Sequence, residues 1–187
     1  MSVIQGFYHK VSIKLQNQKQ AEDPETQFKL FSRRKPPPLN LLSYVERLQE
    51  MLSCPDEVFG LAYIYINKLL SSFPLLHLTP NNVHRLAFTS IVIAYKYSQD
   101  IPFKAKDFAK IGGVTCKELK NMESTMLEAL NWKLYVQEVD TQLQLFREVV
   151  LVCSESSTED ESFEAPEHLE ALQNEELSEL SIFFTNN

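Results

Sequence analysis

An all-α fold is what this sequence predicts, and three observations predict it. After residue 39, apolar side chains recur at steps of three and four, the spacing that lines one face of a helix. Helix start and stop signals fall at the ends of those periodic stretches. Alternating runs flanked by Asn-Gly or Asp-Gly, the mark of paired strands, occur nowhere in the chain.

Each element follows from its own residues. The amino-terminal part closes with SRRKPPPLN, and three successive prolines cannot continue a helix, so a boundary falls after Pro38. Upstream, IKLQNQKQAEDPETQFKL has too little apolar density to fold alone, and residues 1–38 read as a flexible basic arm. In LNLLSYVERLQEML, Leu41, Tyr44, Val45, Leu48 and Leu52 share one face, with Glu46, Arg47, Gln49 and Glu50 opposite. Pro55 sits where a first helical position is expected, with Asp56 and Glu57 in the first turn, where negative charge suits the helix dipole. The VFGLAYIYINKLL that follows is apolar nearly all round and should lie centrally. Thr79 and Pro80 signal the next start, of NNVHRLAFTSIVIAYKYSQD. KAKDFAKIGG is a brief helix stopped by Gly112 and Gly113. Thr115 and Glu118 have capping-box spacing and open TCKELKNMESTMLEAL. A further helix is expected near residues 139–152.

The expected organisation is thus an arm over 1–38, a helical domain over 39–153 and an acidic tail over 154–187. In the tail, Leu169, Leu172, Leu180 and Phe183 make a weakly amphipathic face, but the charge density favours a solvated segment. Ser154, Ser156, Ser157 and Thr158 stand among acids as an acid-directed kinase prefers. The alternative is a solubilising tail.

Composition narrows the function. A chain of 187 residues holds one well-cored domain plus tails, and 44% hydrophobic with 11% aromatic is ordinary for a globular protein. The runs FGLAYIYI and LAFTSIVIAY fall short of the ~20 residues needed to cross a bilayer, and no cleavable signal opens the chain. A protein of the cytoplasm, the nucleus or both is expected, with no membrane partner. Cys54, Cys116 and Cys153 are odd in number and lack C-x-x-C spacing, so neither a disulfide framework nor a zinc site is indicated. Net charge is −7, divided as +4 over residues 1–38, −1 over 39–150 and −10 over 151–187. A near-neutral core with an acidic tail is poorly suited to gripping phosphate backbones, which counts against a nucleic-acid partner. Four glycines permit no phosphate-cradling loop, the four histidines lack metal-ligand spacing, and no G-x-S-x-G occurs. No catalytic residue, metal or small-molecule cofactor is therefore expected.

What remains is charge that violates the burial pattern. On the helix ending IVIAYKYSQD, Arg85, Thr89 and Lys96 fall within roughly 40° of one another at about 100° per residue, with Asn82 alongside and Val92 on the same stripe. A stripe so narrow suits a helix packed on nearly every side, with one strip left for solvent or a partner. On the helix after Thr115, Leu119, Met122, Met126, Leu127, Ala129 and Leu130 make an apolar arc, and Glu123 projects inside it, about 20° from Leu130. An unpaired carboxylate there would cost several kcal/mol, so Glu123 needs a cation or an interface. Lys96 is the economical partner. An ion pair internal to the domain and a contact with another protein both satisfy this pattern.

The order of motifs carries a resemblance. YVERL at 44–48, Cys54-Pro55, YIYINKL at 63–69, NVHRLAFTS at 82–90, the Lys96 segment, FAKIGGVT at 108–115 and ELKNMESTMLEALNWKLYV at 118–136 occur together, ungapped from Arg47 to Val136. The stretch from Leu41 to Val136 resembles the cyclin box, and within it the phosphate-signalling P/U-type cyclins. The resemblance implies a single five-helix box, here with an extra carboxy-terminal helix, and a regulatory subunit that forms a heterodimer with a cyclin-dependent kinase and activates it. It implies that Lys96 and Glu123 are the pair that hydrogen-bonds the kinase near its mobile activating helix. It also implies that Tyr97, Leu127, Trp132 and Leu134 belong to the kinase-binding set, to which Val92 is added from its place on the Lys96 stripe, all catalytic residues lying in the partner. The sequence departs from the family at Asn67 and Lys68, where Asp and Arg are usual, and at Phe103, Lys104 and Ala105, where Tyr-Asn-Asn is usual. No M-R-A-I-L precedes the first helix, so the substrate-docking patch of cell-cycle cyclins is not implied. Two other readings remain open. One is a cyclin-fold adaptor that binds a kinase without activating it. The other is a nucleic-acid-binding cyclin fold of the transcription-factor kind, against which stand room for a single repeat and a near-neutral core.

Overall fold

The structure, a computed structural model, describes residues 3–17, 26–100, 103–137, 143, 144 and 146. The chain divides into two units, Met1–Cys153 and Ser154–Asn187, and every described residue lies in the first. The reading of the acidic tail falls outside the described residues. Among the described residues the regular elements are helices: α1 Val3–Asn17, a 3-10 turn Thr26–Phe31, α2 Leu41–Leu52, α3 Asp56–Ser72, α4 Val83–Ser98, α5 Ala105–Gly112 and α6 Cys116–Ala129.

The helix boundaries follow the local chemistry. Asn40 caps α2, its side chain accepting the Ser43 amide at 2.8 Å, and Ser53 ends the helix in a left-handed conformation. α3 begins one residue later than Pro55, which sits in extended backbone just ahead of it, with Asp56 and Glu57 in the first turn. The start of α4 moves from Thr79 to Val83. Asn82 intervenes, its buried side chain accepting the Thr79 amide and donating to the His77 carbonyl, each at 2.8 Å. α6 opens on the expected capping box: Thr115 and Glu118 bond reciprocally, side chain to backbone.

α3 and α4 form the centre, their buried faces running from Val58 to Leu69 and from Val83 to Tyr95. The remaining helices pack around this pair, and burying so many large side chains at ~25 cal/mol per Å² of apolar surface is the main force holding the bundle. α5 is eight residues long and lies close against the core at its end. A Cβ on Gly112 would stand 2.1 Å from the Phe88 ring, so only glycine permits that approach, while Gly113 takes φ 67°, the left-handed end of the helix. The last carbonyls of α5 are gripped from outside: Ile111 by Arg47 at 2.7 Å, Gly112 by Tyr44 at 3.0 Å and Gly113 by Arg33 at 3.3 Å.

The amino-terminal segment departs from the expected flexible arm. Residues Val3–Asn17 are helical, and Val3, Ile4, Phe7 and Val11 are buried in the shared core. The low apolar density read from the sequence belongs to residues 13–30, downstream of these four. Their burial depends on a partner far along the chain, and α3 supplies it: Phe7 meets Phe59 edge-on at 5.9 Å. Within the segment, Phe28 and Phe31 of the 3-10 turn are also fully buried. Lys10 and Lys14 lie over the Tyr63 ring at 5.7 and 5.9 Å, so part of the arm's basic character is packed against an aromatic face. Of the helix expected near 139–152, residues 143, 144 and 146 are described, and they are helical. Phe146 packs edge-on against Phe7 and Tyr63.

Candidate functional site

The site lies where α4 meets α6. Lys96 is in the last turn of α4, and its Nζ donates to Glu123 Oε1. The lysine side chain is 33% exposed and the glutamate 12%, so the pair stands at the surface with the carboxylate set deeper. The pairing read from helix geometry is therefore present. Beneath it, Lys96 Nζ sits 5.5 Å from the centroid of Phe108, a buried ring on α5. Phe108 in turn packs edge-on against Tyr95 at 5.6 Å and Phe103 at 5.8 Å. The divergent Phe103 is thus part of an aromatic seat for the lysine.

A second ion pair joins the same helices. Arg85 Nη2 lies 2.5 Å from Glu118 Oε1, Arg85 Nη1 donates to the Leu30 carbonyl at 2.7 Å, and Thr89 donates to the Arg85 carbonyl at 2.8 Å. The Thr115 amide and hydroxyl, followed by Arg85, hold the Glu118 carboxyl well down, to about 2. These contacts narrow the expectation of a strip left for solvent or a partner to one end of the helix. Asn82, Thr89 and Val92 are buried, and both cations of the stripe reach toward α6. Lys96, at the stripe's end, is where it meets the surface.

The remaining residues of the expected binding set divide by exposure. Tyr97 is 46% and Trp132 65% exposed, whereas Leu127 and Leu134 are half-buried against the core. Val92 has no exposed surface, because α4 is covered on that side as well. Its place is in the core, with nothing to offer another protein directly.

The chain leaves α6 through a turn that the sequence pattern did not reveal. Asn131 and Trp132 have φ 50° and 59°, and left-handed backbone costs a residue with a Cβ roughly 1–2 kcal/mol. The Trp132 amide closes back onto the Leu127 carbonyl at 2.9 Å. Tyr65, wholly buried on α3, donates its hydroxyl to the Leu134 carbonyl at 2.9 Å. Burial, and then Tyr97, push that hydroxyl's pKa upward, so it remains a donor. Tyr135, at 73% exposure, was absent from the expected set. The helical period of α6 ends at Leu130, and only the sequence's aromatic character hinted at it.

Among the described residues no three His, Cys, Asp or Glu side chains gather as metal ligands, and no helix is long and apolar enough to cross a membrane. Cys54 is buried, which pushes its thiol up to about 12, and Cys116 is exposed.

Comparison with known proteins shows the family. The cyclin family model matches residues 8–134. The chain belongs to the cyclin family. Its match begins within α1, so only the part of the first helix from Tyr8 onward falls inside the matched region of this cyclin. Among similar proteins, Cyclin-U4-2 of Arabidopsis thaliana is 33% identical over 100 residues, 54% of this chain and 46% of that one. Cyclin-U2-1 of the same plant is 34% identical over 108 residues, 58% of this chain and 49% of its own length. Cyclin-P3-1 of Oryza sativa subsp. japonica is 33% identical over 107 residues, 57% and 45% respectively. These are U- and P-type cyclins, the subgroup whose motifs the sequence resembles, and the matched stretch spans about half the length of each.

Proposed function

We propose that this cyclin is the regulatory subunit of a heterodimer with a cyclin-dependent kinase, which it binds and activates through the surface around Lys96 and Glu123. The observation that carries the reading is the pair itself. A lysine and a glutamate meet at the surface end of the contact between α4 and α6, with exposed Tyr97 following directly in sequence and exposed Trp132 in the turn after α6. A charged pair beside exposed aromatic side chains suits a protein partner, where aromatic anchors supply affinity and charges fix register. In the mechanism proposed, the cyclin docks against the kinase's mobile helix and holds it inward, completing the kinase's own catalytic arrangement. The cyclin supplies contacts and no catalytic group. Its place of work is the cytoplasm, the nucleus or both.

The test is Lys96→Ala combined with Glu123→Ala in the full chain, assayed by co-purification with cyclin-dependent kinases and by kinase activity of the reconstituted complex. Binding should fall by about a hundredfold or more, as for the loss of a desolvated charge pair, while circular dichroism stays helical. Unchanged affinity would refute the site. Binding without activation by the wild-type chain would favour the adaptor reading.

A further inference from the structure

The turn after α6 holds the chain in a conformation that the Trp132 side chain does not favour, and its visible result is exposure. Trp132 and Tyr135 are the two most exposed large apolar side chains among the described residues. Leu134 lies between them, and its carbonyl accepts the buried Tyr65 hydroxyl. The Trp132 and Lys133 amides bond back to the Leu127 and Leu130 carbonyls, which ties the turn to α6. The Tyr65 bond ties it to α3, at the centre of the domain. A phenylalanine at position 65 would fill the same core volume, so the hydroxyl's distinct contribution is that one bond.

We infer that Tyr65 is a positioning residue whose hydroxyl latches this left-handed turn, so that Trp132 and Tyr135 stand out together as an aromatic pair against the partner kinase. The role rests on the kinase-binding reading. Tyr65 touches no partner, since it has no exposed surface. It acts through the backbone of Leu134. Tyr135 enters the binding surface as a residue that the sequence motifs did not assign.

Trp132 is the chain's single tryptophan, so its fluorescence reports the turn without a label. Tyr65→Phe in the full chain should lower the steady-state anisotropy of Trp132 and alter its quenching by acrylamide, with far-UV circular dichroism unchanged. Against a panel of purified cyclin-dependent kinases, its affinity should fall about tenfold, the size of one net hydrogen bond. In a Trp132→Ala/Tyr135→Ala background, already weakened, Tyr65→Phe should add nothing. Asn131→Ala, which disfavours the left-handed turn from its exposed side, should reproduce the anisotropy and affinity changes. Asn131→Gly should spare both. Unchanged anisotropy in Tyr65→Phe overturns the latch, and an equal affinity loss in the doubly substituted background overturns its action through the aromatic pair. A wild-type chain that binds no kinase overturns the functional reading and the docking role together. That failure is distinguishable, because the fluorescence arm needs no partner.

Discussion

At one end of the contact between α4 and α6, Arg85 meets Glu118; at the other, Lys96 meets Glu123. The two pairs come from one stripe of α4 and use the same chemistry, yet their surroundings assign them different work. Arg85 also donates to the Leu30 carbonyl, and Glu118 is engaged by the Thr115 amide and hydroxyl, so the first pair is built into the fold on both sides. Lys96 has three N–H donors, and among the described residues its hydrogen-bond partner is Glu123 alone. The lesson is that a pair is structural when other groups of the domain hold both of its members. It is available to another molecule when capacity is left at the surface.

That contrast can be broken by substitution. Arg85→Ala, which leaves the Leu30 carbonyl and Glu118 without their cation, should destabilise the domain by about 1–3 kcal/mol in urea titrations, the upper figure tempered by the glutamate's partial exposure. Lys96→Ala leaves only the Glu123 carboxylate without its cation, at a place that water can enter once the one-third-exposed lysine side chain is gone. It should cost about 1 kcal/mol in the same titration while kinase affinity collapses. Equal losses of stability at the two positions would erase the distinction.

A smaller effect sharpens it. Glu118 is held near 2 against an ordinary value of 4.5, so the unfolded chain binds a proton there more readily than the folded one. Its stabilisation is therefore complete above about pH 4.5 and is lost as pH falls toward about 2. Glu118→Gln should flatten the pH dependence of the unfolding midpoint within that window, and an unaltered profile would show that the carboxylate is not held as described.

Periodicity made most of the helices legible, along with the exceptional charges on two of them. α2 buries Leu41, Tyr44, Val45, Leu48 and Leu52, the face that the three- and four-residue steps defined. Lys96 and Glu123 could be paired because each broke an apolar arc that nothing local repaired. Arg85 and Glu118 were visible too, one as a member of the stripe and one as half of a capping box, but their pairing depends on how two helices cross. α1 was hidden for a related reason: four apolar residues make a stable helix face only when α3 lies beneath them. The turn at Asn131 and Trp132 was hidden because left-handed backbone at residues with side chains leaves no periodic trace. It is held by Tyr65, sixty-nine positions earlier than Leu134 in the chain.

The grip on α5 has a consequence for how the domain moves. A helix of eight residues is too short to persist alone, and here its final carbonyls are held by Arg33, Tyr44 and Arg47. Opening α5 therefore requires breaking bonds from α2 and from the segment before it, so these parts loosen as one cooperative unit. Phe108, the ring beneath Lys96, belongs to that unit. Slow excursions of α2 would thereby reach the lysine's seat through α5.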